Sequence, residues 1–289
     1  MRPFDYAAPA SAKEAVALLA EHGDQAKVLA GGTDLIVDLK HDAGNVSLLV
    51  DVTEIPEFLG IEETDEGLRI GSAAKYGEIM ENPLCLEYTP EIVAASHTVG
   101  AVQTRNLGTI GGNLVTCVPS ADSAPSLLVL DAEVTVAGTE GNRRMPLTDF
   151  FVGPRKTSLE PHELLVDIRI PKSDLGKPSH FLKFGLRKGQ ALALVNAAAS
   201  LWLDDNGAIA EPRIALGAVA PVPMRCPKAE AVIAGKQPSD ELLEEAAEMA
   251  VTECKPIDDF RASANYRRQL VRTMTYRCLK QSVEIASQR

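Results

Sequence analysis

Two glycine-bearing stretches carry the residue types most able to do chemistry, Ala30-Gly-Gly-Thr-Asp-Leu35 and Gly108-Thr-Ile-Gly-Gly-Asn113. Adjacent glycines reach positive φ and let successive backbone N–H groups converge on an anion. A strand running into Gly31-Gly32-Thr33, followed by a helix, would aim those donors at a phosphate. Two such stretches could hold one extended diphosphate ligand from both sides; singly, each also reads as a tight turn. Asp34 would repel a phosphate. Its expected work is to cap the helix from Leu35, or to accept a ligand hydroxyl or its own loop's N–H groups.

Other constellations are missing. There is no G-x-x-x-x-G-K-S/T, which excludes a P-loop NTPase, and no G-x-G-x-x-G after the first strand, so a Rossmann site is not indicated. No G-x-S-x-G occurs, and His22, His41, His97, His162 and His180 are scattered. Cys85, Cys117, Cys226, Cys254 and Cys278 form no C-x-x-C or Cys/His cluster, so no zinc or iron–sulfur site is expected on this chain. They read as separate reduced thiols behaving as small buried hydrophobes. Asp240, Glu244 and Glu248 share a helical face and read as solvated; Arg267, Arg268 and Arg272 read as surface ion-pair residues.

The elements that must position these residues follow from pattern. Ser11-Ala-Lys-Glu14 is a capping box for a helix that stops at Gly23. A strand over 26–30 leads into the first glycine stretch, a helix over 35–41 leaves it, and 47–52 reads as a buried strand. Glu62 to Gly67 reads as a solvated turn before a strand at 68–71, and Thr89-Pro90 starts a helix as N-cap and first residue. A helix over 123–130 and strands over 133–137 and 163–171 complete an α+β region. Pro171 to Pro178 has linker composition. Beyond it come strands at 180–187, 191–204 and 213–219, a hairpin turn at Asp205-Asn206-Gly207, and helices near 240–254 and 263–282. The expected division is 1–175 and 178–289.

Composition narrows the class. Lys and Arg number 29 against 40 Asp and Glu, a net charge of −11, and aromatics are 4%. That excludes a basic nucleic-acid binder and a base-stacking platform. The opening MRPFDYAAPASAKEAV has no apolar core and is not expected to be a signal peptide. The longest mostly apolar run, 191–203, falls short of the roughly 20 residues of a membrane helix. A cytoplasmic location is the expectation.

Six segments in order resemble the flavin-binding subunit of the molybdenum hydroxylases: VLAGGTDL (28–35), QTRNLGTIGGN (103–113), Ser120-Ala-Asp122, ELLVDIRIP (163–171), Phe181-Leu-Lys183 and ASANYRRQLVRTM (262–274). That family includes xanthine dehydrogenase, aerobic carbon monoxide dehydrogenase, nicotinate dehydrogenase and 4-hydroxybenzoyl-CoA reductase. The resemblance implies an α+β fold with two FAD-binding subdomains of the vanillyl-alcohol-oxidase type, then a C-terminal three-stranded antiparallel sheet with helices. It implies FAD extended between the subdomains. Leu29, Ala30, Gly31, Gly32, Thr33, Asp34 and Leu35 would wrap its pyrophosphate and adenosine side. Thr109, Gly111, Gly112 and Asn113 would form the second phosphate and ribityl loop. Asp122 would accept hydrogen bonds from the flavin's polar part, Val99 and Leu165 would pack near the rings or adenine, and Lys183 would sit near the isoalloxazine.

The resemblance also implies partners: a large molybdopterin subunit, a small subunit with [2Fe-2S] clusters that feed electrons to FAD, and an acceptor such as NAD(P), quinone, ferredoxin or oxygen. No side chain need act as acid or base, because the cofactor does the chemistry. The alternatives are a self-sufficient FAD-dependent oxidoreductase of the same fold superfamily and a non-redox nucleotide-binding protein. Two departures stand out. Gln190-Ala191-Leu192 replaces the aromatic residue that some members place over the flavin, and the cysteine-rich insert of the benzoyl-CoA branch is missing. Cys117, four residues after Asn113, could be a redox thiol or an inert one.

Overall fold

The computed structural model describes residues 3–41 and 44–289. β1 (Asp5–Ala7), α1 (Ala12–His22), β2 (Ala26–Leu29), α2 (Leu35–His41) and β3 (Leu48–Asp51) build a small parallel sheet in the order β1-β3-β2. α1 begins where Ser11 Oγ accepts the Glu14 N–H at 3.2 Å and ends at Gly23, φ +52°. The Glu14 carboxylate accepts from Ala10 N rather than Ser11 N, so the expected box closes one residue early. Ala15, Val16 and Leu19, on one helical face, share a core with Val50 and Phe58.

The next unit contains β4 (Ile61–Thr64), β5 (Gly67–Gly71), α3 (Tyr76–Glu81), α4 (Pro83–Tyr88), α5 (Pro90–Thr98), α6 (Val102–Arg105), α7 (Ile110–Thr116) and α8 (Ser123–Val129). It continues through β6 (Glu133–Gly138), β7 (Gly141–Pro146), α9 (Leu147–Phe150), the small hairpin β8 (Phe151–Gly153) and β9 (Lys156–Thr157), and β10 (Leu164–Pro171). Its sheet runs β4-β5-β10-β6-β7, antiparallel throughout.

Two expectations change here, and one strand has an irregular register. Glu62 to Thr64 belong to β4 rather than to a turn. Glu62 lies opposite Arg69 in the ladder and pairs with it at 3.2 Å, which keeps an acidic run in a strand. Thr89 precedes α5 as expected, but its hydroxyl donates back to Cys85 O and caps nothing. In β10 a register shift between Leu165 and Asp167 reverses the alternation. Leu164 and Val166 therefore face the first sheet's core, while Leu165, Ile168 and Ile170 face the core under α5, α7 and α8.

β11 (Ser179–Gly185), β12 (Ala193–Leu203), β13 (Ile209–Gly217) and β14 (Met224–Arg225) make the third sheet, followed by α10 (Pro227–Ile233), α11 (Asp240–Glu253) and α12 (Ala264–Ser287). Three strands are long, and β14 adds two residues at one edge. Gly207, φ +79°, closes the β12–β13 turn. One sheet face packs on α10–α12; Phe181, Ala198 and Ala215 face the central core instead. Glu244 and Glu248 do lie on an exposed helix face, where Arg272 of α12 meets them at 3.5 and 3.0 Å. Arg267 is not a surface residue. It is 2% exposed, donates to Leu194 O at 2.6 Å and pairs with Asp259, because that face of α12 turns onto β12. All five cysteines are buried and free. No helix among the described residues is long and apolar enough to cross a membrane.

Candidate cofactor site

The two glycine stretches touch. A Cβ on Gly31 would fall 2.0 Å from Leu107 O and 2.8 Å from Gly108 Cα, so only glycine lets the loops approach this closely. A cavity of about 230 Å³ lies along their junction. Ala30, Gly31, Gly32, Thr33, Asp34 and Leu35 line one side. Thr109, Gly111, Gly112 and Asn113 line another, and Val99 and Leu165 also reach it. Leu29 does not. Its side chain packs beneath Gly32 (φ +67°), where a Cβ would lie 3.1 Å from Leu29 Cδ1.

The first loop has donors to offer. The backbone N–H groups of residues 31 to 35 have no acceptor among the described residues; the first amide beyond them, Ile36 N, returns to Gly32 O at 3.0 Å. Five consecutive amides thus border a cavity without a protein partner, a concentration of partial positive charge suited to a phosphate. Asp34 is exposed and its carboxylate makes no hydrogen bond or ion pair among the described residues. It is therefore available to a ligand hydroxyl.

The second loop differs from its sequence expectation. Residues 110–116 are helical, and each amide of the first turn is occupied within the protein. Ile110 N donates to Ala74 O at 3.0 Å, Gly111 N to Ser72 O at 2.9 Å, Gly112 N to Thr109 Oγ1 at 3.0 Å and Asn113 N to Thr109 O at 3.1 Å. The segment after β5 runs beside it, with Tyr76 N donating to Gly108 O. Gly111 is required by that contact, since a Cβ would lie 2.5 Å from Ser72 Cβ. Gly112 is different. Its Cβ would meet Thr109 Oγ1 at 2.9 Å and Ala30 Cβ at 3.9 Å, and otherwise open space on the cavity side. This wall works by shape, not by backbone donors.

Asp122 and Lys183 lie apart from that cavity. Lys183 Nζ donates to Asp122 Oδ2 at 2.6 Å and to Thr98 O at 3.0 Å. Asn196 Nδ2 donates to Asp122 Oδ1 at 3.2 Å. Burial raises the Asp122 carboxyl to about 6, against the opposing pull of Lys183 and Asn196. Lys183 also lines a second pocket with His97, Thr98 and the turn after β11. The pockets adjoin at the Thr98–Val99 step, one residue facing each. Gln190 N donates to Gly100 O beside that step, so the turn lacking an aromatic residue is anchored there. Cys117 is fully buried with its thiol donating towards Gly153 O and Lys156 O, and burial pushes its pKa up, the environment of an inert thiol.

Residues 2–173 match the family model described as the FAD binding domain in molybdopterin dehydrogenase, and residues 180–282 match the CO dehydrogenase flavoprotein C-terminal domain. The chain belongs to this family of molybdopterin dehydrogenase flavoproteins. It is similar to the xanthine dehydrogenase FAD-binding subunit of Escherichia coli O157:H7, 35% identical with 98% of each chain covered. It is also similar to the carbon monoxide dehydrogenase medium chain of Hydrogenophaga pseudoflava, 32% identical over 96% of each. Among solved structures, carbon monoxide dehydrogenase from Hydrogenophaga pseudoflava superposes with a TM-score of 0.94 at 32% identity, covering 98% of both chains. Quinoline 2-oxidoreductase from Pseudomonas putida 86 gives 0.90 at 30% identity, again with 98% of both covered. The α+β fold inferred from the resemblance is the fold observed, and the chain is an oxidoreductase flavoprotein.

The cavity has unpartnered amides on one wall and the second glycine loop on the other, a lining whose chemistry suits a phosphate-bearing ligand. Sequence reasoning missed several wall residues. Ser72, Ala73 and Tyr76 follow β5 and arrive only through the ladder with 108–111. Thr104 lay inside the quoted QTRNLGTIGGN and was legible; Val28, Val52, Phe58 and Leu159 are ordinary apolar positions with no local signal. Glu163 also borders the cavity, its carboxyl held below the usual range by hydrogen bonds from Arg143.

Proposed function

We propose that this chain is the FAD-containing electron-transfer subunit of a heteromeric molybdenum hydroxylase. It would receive electrons from [2Fe-2S] clusters of a small partner chain, in a complex with a large molybdopterin subunit, and pass them to NAD(P) or another external acceptor. The observation that carries the reading is the run of five amides at 31–35, without an acceptor among the described residues, in a segment that lines a cavity also walled by the second glycine loop. Bound FAD supplies the redox chemistry, accepting single electrons and delivering two.

The chain's own residues bind and orient. The amides of Gly31 to Leu35 hold the pyrophosphate, Asp34 accepts a hydroxyl of the adenosine side, and Leu29 supports the loop from beneath. Thr109, Gly111, Gly112 and Asn113 form the opposite wall, with Gly112 leaving room for the ligand backbone. Val99 and Leu165 exclude water around the ring systems, and Asp122 with Lys183 form the polar end at the flavin. Residues 1–175 act as the FAD-binding unit and 178–289 as the C-terminal unit. Five unpaired buried thiols support a reducing, cytoplasmic setting.

The test is a spectrum of the purified chain. Flavin absorption near ~450 nm is expected, together with co-purification of molybdenum- and iron–sulfur-bearing chains. A colourless protein that FAD cannot reconstitute would sink the reading. Flavin without partner chains, but with turnover of a substrate, would favour a self-sufficient oxidoreductase.

A further inference from the structure

We infer that Asn196 is a positioning residue for the Asp122 carboxylate, through which the third sheet sets the orientation and charge of the polar group at the flavin end. The inference rests on the reading of Asp122 and Lys183 as flavin-end residues.

Asp122 stands at the start of α8, 7% exposed, and two residues of the third sheet reach it. They occupy one rung: Lys183 on β11 lies directly opposite Asn196 on β12. Lys183 Nζ takes Oδ2 at 2.6 Å, and Asn196 Nδ2 takes Oδ1 at 3.2 Å while also donating to Ala121 O at 3.3 Å. Each carboxylate oxygen therefore has its own donor, which fixes the plane of the group as well as its place.

Packing alone does not account for the amide. Asn196 is fully buried between Val195 and Ala197, and its Oδ1 has no donor among the described residues. An unmet buried acceptor is costly, and an apolar residue in the same place would avoid it. The next strand makes room: Asn196 lies opposite Gly217 on β13, where a Cβ would fall 2.0 Å from Asn196 Oδ1. Asparagine and glycine are thus a matched pair whose product is one N–H aimed at Asp122.

The groups facing that carboxylate are few. Lys183 comes from β11; Tyr76 of α3 donates or accepts at Ser123 Oγ, 3.0 Å away, with its phenol raised by burial; His97 lines the pocket that Lys183 shares. Burial already lifts Asp122 to about 6. Taking away Nδ2 removes one group that favours the charged form, so protonation moves up towards neutral pH. A carboxylate beside the flavin disfavours added electrons, and its neutral form does so less. The variant's potential is therefore more positive than wild type in the interval between the two titrations.

The experiment measures the midpoint potential of the FAD-loaded chain from about pH 5 to about pH 9. In Asn196→Ala the inflection belonging to Asp122 should move up by about one pH unit. Asn196→Asp keeps the side chain's shape if the alanine variant does not fold, and should move it at least as far through like-charge repulsion. In an Asp122→Asn background, Asn196→Ala should leave the profile unchanged. Unshifted profiles in both Asn196 variants with FAD bound would overturn the inference, as would an equal shift without Asp122. Wild-type protein that holds no FAD would overturn the underlying reading instead.

Discussion

The two glycine loops share composition but not hydrogen bonding. In 30–35 the amides of residues 31 to 35 have no acceptor among the described residues, while in 108–113 every amide from Ile110 to Asn113 has one. The first loop keeps its backbone donors free beside the cavity, while the second spends its own within the protein. Glycine is required for contact between the loops at Gly31 and for contact with Ser72 at Gly111, whereas at Gly112 an added Cβ would meet the Thr109 hydroxyl at 2.9 Å beside the cavity. The difference teaches that a glycine-rich motif does not by itself specify an anion nest. What matters is whether neighbouring chain has already taken the N–H groups.

Mutations separate these roles. The largest effect is expected for Gly31→Val, whose Cβ would collide with Leu107 O and part the loops. It should lower stability by about 1–3 kcal/mol or more and abolish FAD retention, read by thermal melting and flavin-to-protein ratio. Retained FAD with an unchanged melt would show that the loops tolerate separation. Gly112→Val should also abolish FAD retention, because its side chain enters the cavity. Its apoprotein should lose less than the Gly31 variant, about 0.5–2 kcal/mol, because the added Cβ displaces the Thr109 hydroxyl that caps Gly112 N. A badly destabilised apoprotein would assign Gly112 to the same structural class as Gly31.

A gentler contrast comes from amide hydrogen exchange with and without FAD. Protection at residues 31–35 should rise about tenfold or more, while amides 110–113, already bonded, should change little. Equal gains in both loops would erase the distinction. The smallest effect belongs to Thr109→Ala, which strips the acceptor from Gly112 N and should cost about 0.5–2 kcal/mol in urea unfolding of the apoprotein. No loss of stability would mean that water replaces the cap.

Local chemistry made much of the chain legible. Ser11 and Gly23 bracket α1 because a hydroxyl acceptor and a positive φ are properties of single residues. The 205–207 turn and the long β11–β13 ladder followed from the same kind of signal. The helix at 110–116 escaped because Gly111 and Gly112 are poor helix formers, and it holds through Ala74, Ser72 and Thr109, which are tertiary or capping partners. Arg267 escaped because nothing local distinguishes a buried arginine from its exposed neighbour Arg268.

The sequence by itself determined the existence and order of the two loops, the adjacent glycines and the elements that flank them. These depend on backbone freedom and hydrophobic period, which short stretches of chain carry. Only the tertiary structure decided which amides remain unbonded, that Gly31 rests on Leu107, and that Asp122 is gripped by Lys183 and Asn196 from another sheet. The reason is physical: a donor is available to a ligand only after every distant acceptor has been brought near it or kept away. That condition belongs to the packed chain, and no window of residues contains it.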